Sequence, residues 1–414
     1  MPYKLLRSLY YSDNKIYAKE YRDRFDSENA VKLDFFIGEN QAFFMENEDV
    51  YRLAFHIEKL NSKISELCSK LPGVALAQYS RKCLIDEIVI TNKIEGVHSS
   101  RKEIGEALNI LELQSQSTGK HHRFESLVNK YLKLINHEDV PLKDCSDIRN
   151  IYDEVFLEEV IKENPSNKPD GKIFRKEVVT VHSDTDRVIH TGLTPESKII
   201  DAMNKALVFL NDDCVEELFR ICIFHYLMEY IHPFYDGNGR LGRFVLSYGV
   251  SKVLTPLISF RISETIKENI SVYYKAFENC NDHRNLGDVT PFLLMQLEMI
   301  LKAMEELQKS LTEKLITWNK YETVIENQSD SSELRHLYSL LIQAGLFSEN
   351  GITMTELQTN MKSSNYKLKK LFNKIPENMV IIKIKNRIKF YSLNLEKLNT
   401  IILEQSMEAL KEDN

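Results

Sequence analysis

The chain contains 414 residues, of which 43% are hydrophobic and 28% are charged, and its formal net charge is −7. This apolar fraction excludes a wholly disordered chain, and the low counts of 10 prolines and 14 glycines disfavour an all-β protein, which needs many turns. The length allows two or three domains, and the mild negative charge argues against nucleic-acid binding by the chain as a whole.

Targeting and cysteine patterns narrow the setting in which the chain works. No apolar run reaches the roughly 18 residues that a membrane span needs, and the N-terminus shows no secretory signal. The six cysteines form no Cys-x-x-Cys pair, which is typical of reduced thiols rather than of a disulfide framework or a zinc site. We therefore expect a cytoplasmic protein that does not enter a membrane.

The N-terminal part of the chain is predicted to be mainly helical. Residues 32–37 and 41–45 are candidates for two short strands. Apolar residues then recur at helical spacing over residues 49–70. A second helix is predicted over residues 74–94, with Gly96 as its C-terminal cap.

Residues 174–194 depart from the helical pattern. Two β-rich runs flank the polar stretch 183–186, which predicts a hairpin. An isolated hairpin is marginal in water, so this one must pack on the helical body. An exposed hairpin of this kind is a candidate for binding an extended peptide.

Residues 215–231 are nearly all apolar and too few to span a membrane, so they predict a buried central helix. His225, within this helix, is interpreted as a packed core histidine. A long helix is predicted from Pro291 to Ile325, and the polar residues 326–332 are predicted to form a linker.

A polar segment, residues 232–243, follows the buried helix directly with the sequence His-Pro-Phe-Tyr-Asp-Gly-Asn-Gly-Arg-Leu-Gly-Arg. Pro233 ends the helix, while Gly237 and Gly239 permit the positive φ and the close backbone approach of a phosphate-binding turn. A helical pattern resumes at Arg240. The turn therefore lies at a helix N-terminus, where free N–H groups and the helix dipole favour an anion.

Four side chains of this segment suit phosphate chemistry. Arg240 and Arg243 are three residues apart on one helical face, and both can bind phosphate oxygens. Asp236 is a hard oxygen ligand suited to Mg²⁺ that bridges phosphates. His232 is a potential general base near neutral pH. Together these side chains predict one phosphate site.

The segment resembles the signature of the Fic (Fido) family, His-Pro-Phe-x-[Asp/Glu]-Gly-Asn-Gly-Arg-x-x-Arg, at every defined position. This resemblance implies an all-helical core with a β-hairpin flap. It also implies transfer of AMP from ATP to a Ser, Thr or Tyr hydroxyl of a target protein. The implied roles are His232 as the base, Asp236 as the Mg²⁺ ligand, Gly237, Asn238, Gly239 and Arg240 as the anion hole, and Arg243 as the ligand of the γ-phosphate.

The hairpin at residues 174–194 resembles the flap of the family, which binds the target segment by strand addition. In the second strand, Val188, Ile189 and His190 lie where family members line the nucleotide. The resemblance therefore places the target protein along the flap and ATP beside its second strand.

Asn281 follows a Tyr-Tyr pair at residues 273–274 and resembles the family asparagine that contacts adenine. The sequence after it departs from the pattern of relatives, which often run straight from Asn to Gly-Asp. Asn279 or Asn285 is therefore an alternative for this role.

Residues 91–96, Thr-Asn-Lys-Ile-Glu-Gly, match the inhibitory motif of the family, [Ser/Thr]-x-x-x-Glu-[Gly/Asn]. A carboxylate in a phosphate pocket pairs with an arginine. If Glu95 pairs with Arg243, it removes the partner of the γ-phosphate. The resemblance thus implies an auto-inhibited enzyme, and family precedent leaves open that the same glutamate assists removal of AMP from the target.

The C-terminal part is similar to a winged helix, with three helical patterns followed by two strands. Nine basic residues and one acidic residue lie between Lys362 and Lys389, which is a local basic patch on an acidic chain. Such a patch favours nucleic-acid contact, yet lysine on an exposed strand also prevents aggregation. DNA and protein both stay open as partners, with protein slightly favoured.

We therefore predict a mainly α fold in three regions: an N-terminal helical region with the inhibitory helix (1–110), a Fic catalytic core (111–325) and a winged helix (333–402). An alternative is a winged-helix regulator that uses the Fic core as a nucleotide sensor. The intact His232 argues against that alternative, because sensing needs no base. Transfer of a group other than AMP and a homo-oligomeric state are left open.

Overall fold

The computed structural model describes residues 3–112, 123–182, 188–328, 331–385 and 387–412. By internal contacts the chain divides into two compact units, Met1–Ser62 with Leu84–Glu305 and Lys63–Cys83 with Glu306–Asn414. The boundaries predicted from the sequence fall within these units and stay predictions. The structure confirms the mainly α fold class.

Helices make up most of the chain up to residue 328. They are α1 (Leu6–Ser12), α2 (Asn14–Phe25), α3 (Glu48–Lys70), α4 (Gly73–Ile94), α5 (Arg101–Glu112), α6 (Glu125–Ile135), α7 (Cys145–Val155), α8 (Leu157–Glu163), α9 (Glu196–Leu210), α10 (Glu217–Ile231), α11 (Asn238–Val253), α12 (Ile262–Glu268), α13 (Ile270–Asn281) and α14 (Thr290–Gln328). Short 3₁₀ helices span Pro165–Asn167, Pro256–Arg261 and His283–Asn285. The predicted helices over 49–70 and 74–94 are confirmed as α3 and α4, and Gly96 has the positive φ expected of a cap.

Two antiparallel hairpins accompany these helices. β1 (Ala30–Ile37) pairs with β2 (Asn40–Met45), which confirms the two N-terminal strands. β3 (Thr180–His182) pairs with β4 (Val188–Thr191), and the predicted turn at 183–186 lies outside the described residues. The first strand of this second hairpin was predicted from residue 174, which is wrong, because residues 174–179 are not part of a strand. Arg175, in that stretch, bonds instead to the segment after α10.

α10 is the buried central helix that the sequence predicts. Every residue from Leu218 to Ile231 is buried except Glu229, which is half-buried, and the helix packs against α9 and α11. His225 is a core residue, as expected: its Nε2 lies 2.8 Å from the Tyr273 hydroxyl, and burial lowers its pKa to about 3. Because α10 is buried between other helices, its packing also determines where the residues that follow it begin.

The C-terminal part of the smaller unit has its own sheet and core. Its elements are α15 (Ser332–Phe347), β5 (Ile352–Thr353), α16 (Met354–Met361), α17 (Asn365–Phe372), a 3₁₀ turn (Glu377–Met379), β6 (Val380–Lys385), β7 (Ile388–Leu393) and α18 (Leu395–Glu412). The antiparallel sheet has the order β5-β7-β6. The three helices and two strands of the predicted winged helix are thus present, while β5 and α18 were not predicted.

The linker predicted over residues 326–332 is wrong in its extent. α14 continues to Gln328 and α15 begins at Ser332, where the Ser331 hydroxyl accepts a hydrogen bond from the Leu334 N–H. A polar composition alone does not end a helix.

Within the described part of the chain, no helix has both the length and the apolar character that are needed to cross a membrane. None of the six cysteines, each at a described position, forms a disulfide.

Candidate active site

The 232–243 segment joins α10 to α11 through a rigid turn. His232 caps α10 with a φ of 52°, and Gly237 precedes α11 with a φ of 81°, the left-handed conformation that glycine adopts without strain. The Asn238 side chain bonds to both the N–H and the carbonyl of Phe234, each at 2.9 Å. The Phe234 ring is buried and stacks on Tyr152 with 3.6 Å between centroids. These contacts fix the turn before any ligand binds.

The His232 imidazole is held neutral by its surroundings. Burial first, and then the charges of His190 and Arg175, lower its pKa to about 3. Its Nδ1 has no hydrogen-bond partner among the described residues and lies 4.0 Å from a carboxylate oxygen of Glu229. A neutral imidazole has a lone pair that can accept a proton, which the predicted role of His232 as a base requires.

Arg240 is buried and already has one carboxylate partner. Its Nη1 lies 2.6 Å from Oε2 of Glu159 on α8, and the other oxygen of Glu159 lies 2.6 Å from Nη2 of Arg123. Within the described ranges, Nε and Nη2 of Arg240 have no partner. Two donors of Arg240 thus stay available for an anion, and Glu159 is a contact that the sequence did not predict.

The Arg243 guanidinium is directed at the end of α4. Its Nε donates to the Thr91 hydroxyl at 2.8 Å, and its Nη2 donates to the Thr91 carbonyl at 3.1 Å. The same Nη2 lies 2.8 Å from Oε1 of Glu95. Burial alone would lower the pKa of Arg243, but the negative charge of Glu95 opposes it most strongly and that pKa is raised. The structure therefore brings together the two residues that the motif comparison paired.

Two glycines of α11 make room for carboxylates on either side of Arg243. A Cβ on Gly239 would overlap Oε1 of Glu95, and a Cβ on Gly242 would overlap Oε1 of Glu229. Gly239 itself does not have a positive φ, so the prediction that it needs this backbone freedom is wrong. Its requirement is the space that the Glu95 side chain occupies.

Asp236 is the one segment residue suited to hold a cation. Its carboxylate is half-buried and accepts a hydrogen bond from the Gly237 N–H. Over the described residues, no three or more His, Cys, Asp or Glu side chains come together as a metal site. A single carboxylate beside a helix N-terminus fits Mg²⁺, which is commonly held by one or two carboxylates together with substrate phosphates and water.

The second hairpin strand and the end of α13 meet beside the segment. His190 contacts the Tyr230 carbonyl through Nε2 at 2.6 Å, and its Nδ1 lies 3.4 Å from Nδ2 of Asn281. The Asn281 oxygen accepts a hydrogen bond from the Tyr226 hydroxyl. Among the predicted nucleotide contacts, His190 and Asn281 are thus neighbours.

The other predicted members of this edge contribute less. Val188 and Ile189 lie in β4, and their side chains fall outside the described residues. Asn285 is buried and donates to the Asp288 carbonyl. Of the candidate asparagines, Asn281 is the one whose side chain contacts His190.

Sequence reasoning missed three side chains that shape this site: Glu229, Glu159 and the hydroxyl of Thr91. Glu229 left a signal, because it is the one carboxylate within the otherwise apolar run 221–231. Glu159 left none, since an exposed-looking helix gives no hint of a partner 81 residues away. Thr91 was noted only as part of a motif.

Part of the chain is similar to known proteins. Residues 143–248 match the sequence model of the Fic/DOC family. The protein adenylyltransferase fic-1 of Caenorhabditis elegans is 24% identical over 233 residues, which cover 53% of this chain and 40% of that relative. The chain therefore matches less than half the length of this relative.

Solved structures of similar proteins were also found. A Fic family protein from Desulfovibrio desulfuricans G20 has a TM-score of 0.46 at 18% identity, covering 82% of this chain and 96% of its own. A Fic domain containing signaling protein from Bacteroides thetaiotaomicron VPI-5482 has a TM-score of 0.43 at 16% identity, covering 62% and 97%.

Proposed function

We propose that this chain is a protein adenylyltransferase that is inhibited by Glu95. Its residues 143–248 match the Fic/DOC family. It transfers AMP from ATP to a Ser, Thr or Tyr hydroxyl of a target protein and of itself. The observation that carries the proposal is the buried Arg243, whose carboxylate partner is Glu95, at the N-terminal end of α11.

The chemistry is an in-line displacement at the α-phosphorus. The target hydroxyl oxygen forms a bond to that phosphorus, the bond to the β-phosphate oxygen breaks, and pyrophosphate leaves. His232, neutral in its buried site, takes the hydroxyl proton. The first-turn N–H groups of α11 and the two available donors of Arg240 bind phosphate oxygens.

Asp236 contributes a carboxylate for Mg²⁺, which when bound neutralises phosphate charge. Val188, Ile189, His190 and Asn281 line the nucleotide, a placement supported by the contact between His190 and Asn281. The target segment adds as a strand to the β3–β4 hairpin. These assignments follow from the resemblance to the family, together with the neighbouring positions of the side chains.

Inhibition by Glu95 has a simple electrostatic basis. An arginine that binds the γ-phosphate needs its fork free, whereas here Nη2 of Arg243 holds Glu95 and Nε holds Thr91. The carboxylate also places like charge where a phosphate must go. ATP then binds with its α-phosphate out of line, and transfer slows.

The test uses ATP labelled at the α- or the γ-phosphate with wild type, Glu95→Gln and the double variant Glu95→Gln/His232→Ala. Glu95→Gln keeps the size of the side chain but removes its charge, so α-label incorporation should rise at least about tenfold, which corresponds to about 1.4 kcal/mol in the barrier. The double variant should incorporate none. Incorporation of γ-label instead would identify phosphate transfer.

A matched control removes a carboxylate elsewhere. Glu58 on α3 is exposed, so Glu58→Gln should label like wild type. Equal labelling of wild type and Glu95→Gln would refute inhibition by Glu95. Undiminished labelling of the double variant would refute His232 as the base.

The surface of β6 and β7 favours a protein partner for the C-terminal part. β6 is an edge strand of the sheet β5-β7-β6, and two of its side chains, Ile382 and Ile384, are 53% and 69% exposed. An exposed edge strand with apolar side chains is suited to strand pairing with another chain. Contacts to the phosphates of DNA are made by polar groups, so they would not require exposed isoleucines. We propose that this edge binds an acidic protein segment, because Lys383 and Lys385 alternate with the isoleucines.

The full chain offers a direct comparison for this surface. Lys383→Gln/Lys385→Gln should leave duplex DNA binding absent at low salt, as in wild type. A shift of duplex DNA by wild type that falls steeply with added salt would instead favour the DNA-binding regulator.

A further inference from the structure

The end of α10 leaves a row of backbone carbonyls that need hydrogen-bond donors. The last carbonyls of any helix have no partner within the helix. Here the carbonyls of four consecutive residues, 230–233, all accept hydrogen bonds from the β3–β4 hairpin or from the chain just before and after it. The donors are His190 Nε2 to Tyr230 at 2.6 Å, Leu193 N–H to Ile231 at 3.1 Å, Arg175 Nε to His232 at 2.9 Å and Arg175 N–H to Pro233 at 3.3 Å.

Arg175 supplies two of these four donors. Its backbone N–H donates to the Pro233 carbonyl and its side chain donates to the His232 carbonyl, so the two carbonyls that it holds are adjacent along the chain. Its Nη1 also donates to the Glu177 carbonyl, which ties the guanidinium back to its own chain. The His232 backbone, at a positive φ that is unfavourable for a residue with a side chain, is thus held from outside the helix.

The Arg175 side chain is fully buried and carries its charge without a carboxylate. No acidic side chain among the described residues lies within ion-pair distance of it, and its Nη2 has no partner there. A buried cation needs compensation, and the negative end of the α10 dipole supplies it at the carbonyls that Arg175 contacts. The positive charge of Arg175 is therefore compensated by the C-terminal end of α10.

Gly192 shows how closely the guanidinium approaches the histidine. A Cβ on Gly192 would overlap Nη2 of Arg175 and would lie 2.9 Å from the Cβ of His232. Three charged or titratable groups face the His232 ring: Glu229 from α10, His190 from β4 and Arg175 from the hairpin entry. Arg175 is the one of these that holds a fixed positive charge.

We propose that Arg175 is a positioning residue that fixes the backbone of His232 and thereby the place of its imidazole. The role of His232 as base rests on the proposed function, whereas the hold on its backbone and ring does not. Arg175 bonds to none of Asp236, Arg240 and Arg243, so the loss of Arg175 should change the catalytic step rather than ATP binding.

The experiment compares Arg175→Gln, Arg175→Lys and, as a control, Lys176→Gln, which removes an exposed charge from the next residue. Each is made in the Glu95→Gln background and checked for folding by circular dichroism. The ring nitrogens of His232 are followed by NMR in chains labelled with ¹⁵N-histidine, where His232→Ala identifies the signal. In Arg175→Gln we expect the pKa of His232 to rise, because a nearby positive charge is gone, while Arg175→Lys and Lys176→Gln leave it unchanged.

Kinetics give the second readout. Arg175→Gln and Arg175→Lys should both lower kcat for AMP transfer by roughly 10- to 100-fold with the KM for ATP unchanged, since a catalytic group displaced by about 1 Å costs up to about 100-fold. A His232 signal and pKa that are the same in Arg175→Gln and in its parent would overturn the inference. If the parent transfers no AMP while the His232 pKa responds as expected, the proposed function fails and the positioning role stands.

Discussion

The carboxylate of Glu229 lies 4.0 Å from Nδ1 of His232, one helical turn before it on α10. Burial, and then the neighbouring charge of Glu95, raise the pKa of Glu229 to about 8, against a weaker lowering by Arg243. Glu229 is therefore protonated at neutral pH, and its Oε1, within the part of the chain described, has no hydrogen-bond partner. A neutral Glu229 adds no charge beside the His232 imidazole, and Glu95 is then the carboxylate that pairs with Arg243.

We expect Glu229 to make folding stability fall as pH rises. Its pKa is about 8 in the folded chain and near 4.5 when unfolded, so between these values the folded state keeps a proton that the unfolded state has lost. Stability is then full below about pH 4.5 and decreases up to about pH 8. Urea denaturation at pH 7 and pH 8 should show this loss in wild type and not in Glu229→Gln.

Glu87 is the matched control for this measurement. Glu87 is fully buried, and this burial outweighs its bonds from Ser263 and raises its pKa to about 7. Its contribution therefore ends about one pH unit lower, and Glu87→Gln should keep the wild-type loss between pH 7 and pH 8. A Glu229→Gln chain that loses stability over this interval as wild type does would show that Glu229 is charged when folded.

The Thr91 hydroxyl holds the buried Arg243, and its removal should be costly. Thr91→Val preserves the shape of the side chain but leaves Nε of Arg243 without its acceptor at 2.8 Å. A buried charged donor left unpaired costs about 1–3 kcal/mol. Urea denaturation should therefore show a loss of this size for Thr91→Val and a smaller one for Thr91→Ser, which keeps the hydroxyl. Equal stability of Thr91→Val and wild type would contradict the contact.

The parts of the site that the sequence predicted are the local ones. His232, Asp236 and Arg240 lie within nine residues of each other, so a single turn and helix start determine where their backbones lie. The buried α10 was predictable because its apolar run admits no other placement. The pairing of Glu95 with Arg243 was accessible only through the resemblance, since no periodicity connects residues 148 positions apart.

The parts that failed depend on partners distant in the chain. Residues 174–179 belong to a β-rich run, but Arg175 bonds to the carbonyls after α10, and a β-rich pattern cannot tell a strand partner from a loop partner. The linker failed because Asn327 and Gln328 are polar yet compatible with a helix. Glu159 was missed because its two arginines lie 36 and 81 residues away.

Glu159 should weaken ATP binding by competing for Arg240. Glu159→Gln keeps an oxygen acceptor for Nη1 of Arg240 while removing a negative charge next to the proposed phosphate site. We expect the Kd for ATP to fall about two- to fivefold, the range that corresponds to about 0.5–1 kcal/mol. Calorimetry measures it directly. Glu158→Gln, on the same helix and exposed, should leave the Kd unchanged, whereas weaker binding by Glu159→Gln would mean that Arg240 needs the carboxylate to hold its position.

The stack of Phe234 on Tyr152 should stabilise the turn through its rings, without a contribution from the Tyr152 hydroxyl. The two rings are nearly parallel at 5°, and Phe234 also meets the edge of Phe174, while the buried Tyr152 hydroxyl has no partner among the residues described. Phe234→Ala should therefore cost about 3–5 kcal/mol of unfolding free energy, as large-to-small core changes do. Tyr152→Phe should stay within about 0.5 kcal/mol of wild type, because it removes a buried polar group that forms no bond. A loss above about 1 kcal/mol in Tyr152→Phe, measured by urea denaturation, would show that the hydroxyl has a partner and contributes to the stability of the turn.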